Sequence, residues 1–198
     1  MTTPIQDIKP MGQEGSTAPE EDTRSQAQID YDEGRGFVER GEPAMAAVSL
    51  HNALVGFEEE GNKEGIANAS NQLGHACLQK KEYDKALTHY QRAWTICEEM
   101  QDSMSLQAIT VQLIEVYEGQ EQYQEAINRC LDLLDAYHRN NDPKGSVFIL
   151  ERMAKVYLQW GKKDKAADAY MTVASIHQNF KHEQLAKSFR EKAEELTQ

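Results

Sequence analysis

From about Ser25 to the C-terminus, apolar residues return every three or four positions, the spacing that places them on one face of a helix. Ile66, Ser70, Leu73, Gly74 and Cys77 form one such face. The polar triplet Lys80-Lys81-Glu82 interrupts it, and Tyr83, Ala86, Leu87, Tyr90, Ala93, Trp94 and Cys97 then form a second. So short a break predicts two antiparallel helices. The two-helix pattern recurs with an interval of 40, marked by Ala46, Ala86, Ala126 and Ala166. Four residues after each stand Leu50, Tyr90, Cys130 and Tyr170, and seven after stand Ala53, Ala93, Leu133 and Val173. Twelve before each stand Gly34, Gly74, Ile114 and Ala154. Small residues keep returning where helix axes must approach closely, with large apolar ones between them. A self-similarity that holds without a gap predicts stacked hairpins.

The breakers agree with this division. Gly41 and Gly161 share a column at the end of a first helix, where a left-handed cap is useful, and Pro43 suits the start of a second helix. In Asn140-Asn141-Asp142-Pro143, Asn or Asp can cap the coming helix and Pro143 can open it. Residues 1–23 hold Pro4, Pro10, Pro19, Gly12, Gly15, Ser16 and Thr17 without apolar periodicity, and a disordered arm is expected there. The expected organisation is four repeats within 24–186, at about 27–66, 67–106, 107–146 and 147–186, closed by a helix in 182–198. In that last segment the columns are lost, and Leu185, Ala186, Phe189, Ala193 and Leu196 form a single apolar stripe, as expected of a cap.

The columns Leu73-Gly74, Ala86, Tyr90, Ala93 and Ala154, Tyr157, Ala166, Tyr170 resemble the tetratricopeptide repeat over about residues 25–198. The 40-residue period departs from that family's usual 34 and is similar to its long-repeat branch, of the kinesin light chain and heterotrimeric G-protein regulator type. Asn71-Gln72-Leu73-Gly74-His75 resembles the Asn-Asn-Leu-Gly-Asn of that branch. The first unit departs by placing Glu33 where leucine is usual, as suits a terminal repeat that faces water. The resemblance implies an all-α fold: a right-handed α-α superhelix of four helix-turn-helix repeats plus a C-terminal capping helix. It also implies that the first helices line a concave groove. Carried over by column, the groove residues are Gln28, Tyr31, Asp32 and Arg35; Asn68, Asn71, Gln72 and His75; Val111, Gln112, Glu115 and Glu118; and Phe148, Glu151, Arg152 and Lys155. Amides can satisfy the main chain of a bound peptide, so Asn71, Gln72, His75 and Gln112 are the expected contacts. Some members hold a chaperone's C-terminal carboxylates in a two-carboxylate clamp. The lysines of that clamp are missing here, so no such binding is expected.

Composition narrows the partners. The net charge is −12 without a basic stripe, which disfavours nucleic acid and anionic membranes and favours a basic or amphipathic protein segment. No apolar run is long enough to span a bilayer, and the stretch Met1–Lys9 lacks the apolar core of a secretory signal. Cys77, Cys97 and Cys130 are odd in number and dispersed, which points to reduced thiols in a cytoplasmic protein. Gly34-x-Gly36 falls inside a helix with no strand before it and is no dinucleotide loop. His177 and His182 lack further metal ligands, the cysteines occupy apolar columns, and the carboxylates lie on polar faces. The expectation is a non-enzymatic scaffold without cofactor or metal, binding another protein or peptide as a monomer or weak homo-oligomer. The alternatives are an acidic chaperone similar to those of type III secretion, and a self-assembling repeat protein.

Overall fold

A computed structural model describes residues 24–197; the arm expected at 1–23 lies outside them. The described residues form nine helices: α1 (Gln26–Glu39), α2 (Pro43–Glu60), α3 (Lys63–Gln79), α4 (Tyr83–Glu99), α5 (Ser103–Gly119), α6 (Tyr123–Arg139), α7 (Pro143–Gln159), α8 (Lys163–Asn179) and α9 (Glu183–Thr197). Each packs on the next, α1 also touches α3, and the stack is a right-handed helical-repeat superhelix.

Each helix from α1 to α8 ends in the same reversal. Gly41, Gly61, Lys81, Gln101, Glu121, Asn141, Gly161 and Lys181 all have positive φ, one every 20 residues. At the first of these turns the Gly41 amide donates to the Val38 carbonyl at 3.0 Å and the Glu42 amide to the Phe37 carbonyl at 2.9 Å. The same pair of bonds recurs at all eight turns. This is the Schellman motif, which satisfies the last carbonyls of a helix in two residues. Glycine marks three of the turns; the other five force a side chain into the left-handed region.

The helix starts alternate in character. Ser25, Asn62, Asp102 and Asp142 accept hydrogen bonds from the amides of Gln28, Gly65, Ser105 and Gly145, so α1, α3, α5 and α7 are capped by a side chain. The starts of α2, α4, α6 and α8 hold Glu42, Glu82, Gln122 and Lys162, none with a capping side-chain bond. Hairpins are thus distinguished from the joints between them by their caps, while the reversals are alike.

Size complementarity holds each hairpin together. Gly74 lies under the ring of Tyr90, so close that an added Cβ would stand 2.6 Å from it. Gly34 is pressed by Leu50 in the same way. In the third hairpin the sizes are exchanged: Ile114 and Cys130 stand in these columns, both fully buried. Between hairpins, Gly65 receives the ring of Phe57 and Gly145 that of Tyr137.

The last helix departs from the expected loss of pattern. Glu183 follows Pro143 by 40 residues, Phe189 continues the column of Ala69, Ile109 and Ile149, and Ala193 that of Leu73, Leu113 and Met153. Accordingly α9 is a first helix without a second. Ala186, Phe189 and Ala193 are buried against the last repeat, with Phe189 6.0 Å from Tyr170 between ring centroids. Leu185, expected on the buried stripe, is 48% exposed. It stands in the first turn of α9, in the column of Gly65 and Gly145.

Two tests follow from this packing. Gly74→Ile overpacks the first crossing and costs about 1–3 kcal/mol; Tyr90→Cys leaves a cavity and also destabilises. The double variant, which copies the third hairpin, is expected to unfold in urea at a higher concentration than the sum of the two losses allows. Separately, Lys81→Gly, Gln101→Gly, Glu121→Gly and Lys181→Gly should each raise stability by about 0.5–1 kcal/mol, because they relieve left-handed strain.

Candidate binding groove

All sixteen residues expected to line the groove lie on α1, α3, α5 and α7. Tyr31, Asn71, Gln72, His75, Gln112 and Arg152 are half-buried; Arg35, Asn68, Glu115, Phe148 and Lys155 are exposed. The 40-residue period makes Asp32, Gln72, Gln112 and Arg152 successive rungs of one column across the four first helices.

Several of these residues meet. Burial raises the pKa of the Tyr31 phenol, and the neighbouring Gln72 side chain opposes this in part. Gln28, Tyr31, Phe57 and Asn68 line a cavity of about 190 Å³ between the first two hairpins. His75 and Tyr90 meet edge to face with ring centroids 5.5 Å apart. Burial holds the His75 pKa below its ordinary value of 6.5, and the nearby carboxylate of Glu115 opposes this only in part. The imidazole is therefore neutral at pH 7. Beneath this face, the oxygens of Ser70 Oγ, Asn71 Oδ1 and Tyr90 OH are buried without a hydrogen-bond partner among the described residues.

Other residues stay apart. Arg35 pairs with Glu39 on its own helix, at 3.6 Å. Phe148 presents an exposed ring. Arg152 is already engaged: its Nε and Nη2 donate to the two carboxylate oxygens of Glu118, at 3.1 and 2.5 Å, joining α7 to α5. Burial raises the Glu118 pKa, with Arg152 pulling it back. This fork ties two rungs together, so Arg152 acts first as a strut. The 34-residue separation of the pair recurs between Glu58 and Arg92 on α2 and α4. That recurrence was a signal in the sequence, yet without geometry it could not be told from any other spacing of opposite charges.

A second feature lies where the hairpin turns meet the end of the groove. Leu78, Gln79, Lys81, Tyr83, Glu115, Glu118, Gly119, Glu121, Tyr123 and Gln159 line a cavity of about 480 Å³. Tyr83 approaches Gly119 so closely that no Cβ would fit. No column argument pointed here, because the lining comes from five helices and two turns.

The thiols are poor nucleophiles in this setting. Cys77, Cys97 and Cys130 are free and buried. Burial raises all three pKa values, that of Cys130 to about 12, so the thiolate is scarce at neutral pH. Among the described residues, no helix is long and apolar enough to cross a membrane.

Comparison with known proteins gives the chain its relatives. Residues 16–147 match the family described as soluble NSF attachment protein, and residues 149–180 match a tetratricopeptide repeat family. No curated protein sequence matches. Among solved structures, nearly identical TPR-like repeats attributed to a kinesin light chain of Podosopora anserina superpose with a TM-score of 0.66 at 13% identity, covering 88% of this chain and 97% of that one. The apo form of RapI gives a TM-score of 0.71 at 15% identity, over 85% of this chain and 48% of that one. BtubC (BKLC) from P. vanneervenii gives 0.56 at 13% identity, over 86% and 88%. At these identities the likeness establishes the fold.

The buried imidazoles predict a pH dependence. His75 and His89 both have folded pKa values below 6.5, each chiefly through burial. The unfolded chain therefore takes up these protons first, so their contribution is fully present above pH 6.5 and is lost as the pH falls below it. Glu118, with its raised pKa, works in the opposite sense, and the comparison needed is between variants. Between pH 7 and 5.5 the urea midpoint of His75→Asn is expected to fall less than that of the unsubstituted protein.

Proposed function

This chain belongs to the soluble NSF attachment protein family, and from that premise we propose that it is a non-catalytic adaptor whose first helices hold a peptide or helical segment of another protein. Repeat superhelices of this kind are generally protein-interaction scaffolds, built to expose an extended concave face. The family is named for attachment to NSF, and that name supports a docking role over the secretion-chaperone reading. The three buried thiols suit a reducing compartment such as the cytoplasm.

One observation carries the reading. Gln72 and Gln112 repeat at the period of the fold on half-buried positions of α3 and α5, with Asn71 beside them. Amides so arranged offer both donors and acceptors along a line, which is what the main chain of a bound segment requires. Asn68, Tyr31 and Phe148 would add contacts along the same face, and Arg35 and Lys155 would supply charge at its two ends.

Photo-crosslinking tests this. A benzoylphenylalanine placed at Gln72 or Gln112 is expected to capture one discrete partner from cell extract. The same group at Thr88 or Asn128, exposed on the second helices, is not. A partner captured only from Thr88 and Asn128 would remove the groove from the mechanism.

A further inference from the structure

The aromatic and acidic cavity at the hairpin turns has no role yet. Its walls include Tyr83 and Tyr123, and its carboxylates are Glu115, Glu118 and Glu121, against one lining cation, Lys81. The walls are built rather than incidental. Tyr83 is seated on Gly119 of the next hairpin, and Tyr123 stacks on Trp160 with centroids 6.3 Å apart. Elsewhere along this edge the chain covers its aromatic rings with its own cations: Arg40 lies 4.7 Å over Phe37, and Lys162 lies 5.5 Å over Trp160. No such cation lies over Tyr83 or Tyr123 among the described residues, and Glu115 and Glu121 have no ion-pair partner there; Glu118 alone is matched, by Arg152.

We infer that this cavity is a subsite for a basic side chain of the bound segment, an arginine in preference to a lysine. Rings supply the face that attracts a cation, and carboxylates beside them supply its counter-charge. A planar guanidinium can stack its face on tyrosine while its edge donates in a fork to a carboxylate; a compact ammonium has no such face. About 480 Å³ is ample for such a group. Glu115 and Glu118 belong both to the cavity and to the groove face, so a segment lying along α3 and α5 can reach it with one side chain. The inference rests on the groove reading for the segment, but not for the chemistry of the cavity.

The test therefore uses a small probe on the full chain. N-acetyl-arginine N-methylamide is titrated while backbone amide signals are followed by NMR, with the lysine and citrulline analogues as parallel arms. Saturable shifts are expected at Gly119 and Glu121 with arginine, weaker ones with lysine and none with citrulline. The double variant Glu115→Gln/Glu121→Gln, which touches no core residue, should weaken arginine binding by about fivefold or more. Absent shifts, shifts spread over the acidic surface, equal shifts with citrulline, or an unchanged double variant would each overturn the subsite. Crosslinking from Gln72 and Gln112 would stand unaffected by that failure, so the two readings fall separately.

Discussion

The chain must reverse direction every 20 residues and do so in only two, and the rest of the molecule depends on that constraint. A helix turns through a fixed angle per residue, so the face it presents to its neighbours is set by where it begins. Eight identical Schellman reversals keep that phase constant from Gly41 to Lys181. One extra residue in any of them would rotate every later helix by about 100° and move Gln112 or Arg152 off the inner face. The left-handed strain tolerated at Lys81, Gln101, Glu121, Asn141 and Lys181 is consistent with how strongly the stack requires the reversal.

Within that frame, packing is local. Each crossing needs a large residue facing a small one, but not a particular assignment of the two. Tyr90 over Gly74 and the reversed sizes at Ile114 and Cys130 meet the same requirement. Repeats of this kind can therefore diverge in sequence while the backbone stays in register, as the 13–15% identities to structures of the same fold illustrate. The last helix, α9, completes a half-step of the same pattern and covers the apolar end that a further hairpin would otherwise have to cover.

Function in such a molecule comes from rungs that packing does not need. Gln72 and Gln112 stand where the period brings them into line, and Tyr31, His75 and Glu115 lie around them. Arg152 shows how the same position can be drawn into structure instead: its fork to Glu118 joins two first helices, while Glu115 has no ion-pair partner among the described residues. Burial of His75 keeps that neighbourhood from acquiring a compensating positive charge at neutral pH.

The helices, the hairpins and the 40-residue period were legible in the sequence, because each depends on spacing along the chain. Ala46, Ala86, Ala126 and Ala166 repeat at 40, and the residues twelve before and four after them already displayed the exchange of large and small. The tertiary structure alone decided which side chains meet across that spacing. The left-handed turns at non-glycine residues were hidden because local propensity argues against them and only the stack enforces them. The continuation of the columns into α9 was hidden because its side chains change size where the repeat ends. The pairing of Arg152 with Glu118, and the cavity between Tyr83, Tyr123 and the three glutamates, were hidden because their members are 34 to 40 residues apart or come from different helices. Their distances depend on how adjacent hairpins are rotated, a quantity that no single hairpin's sequence contains.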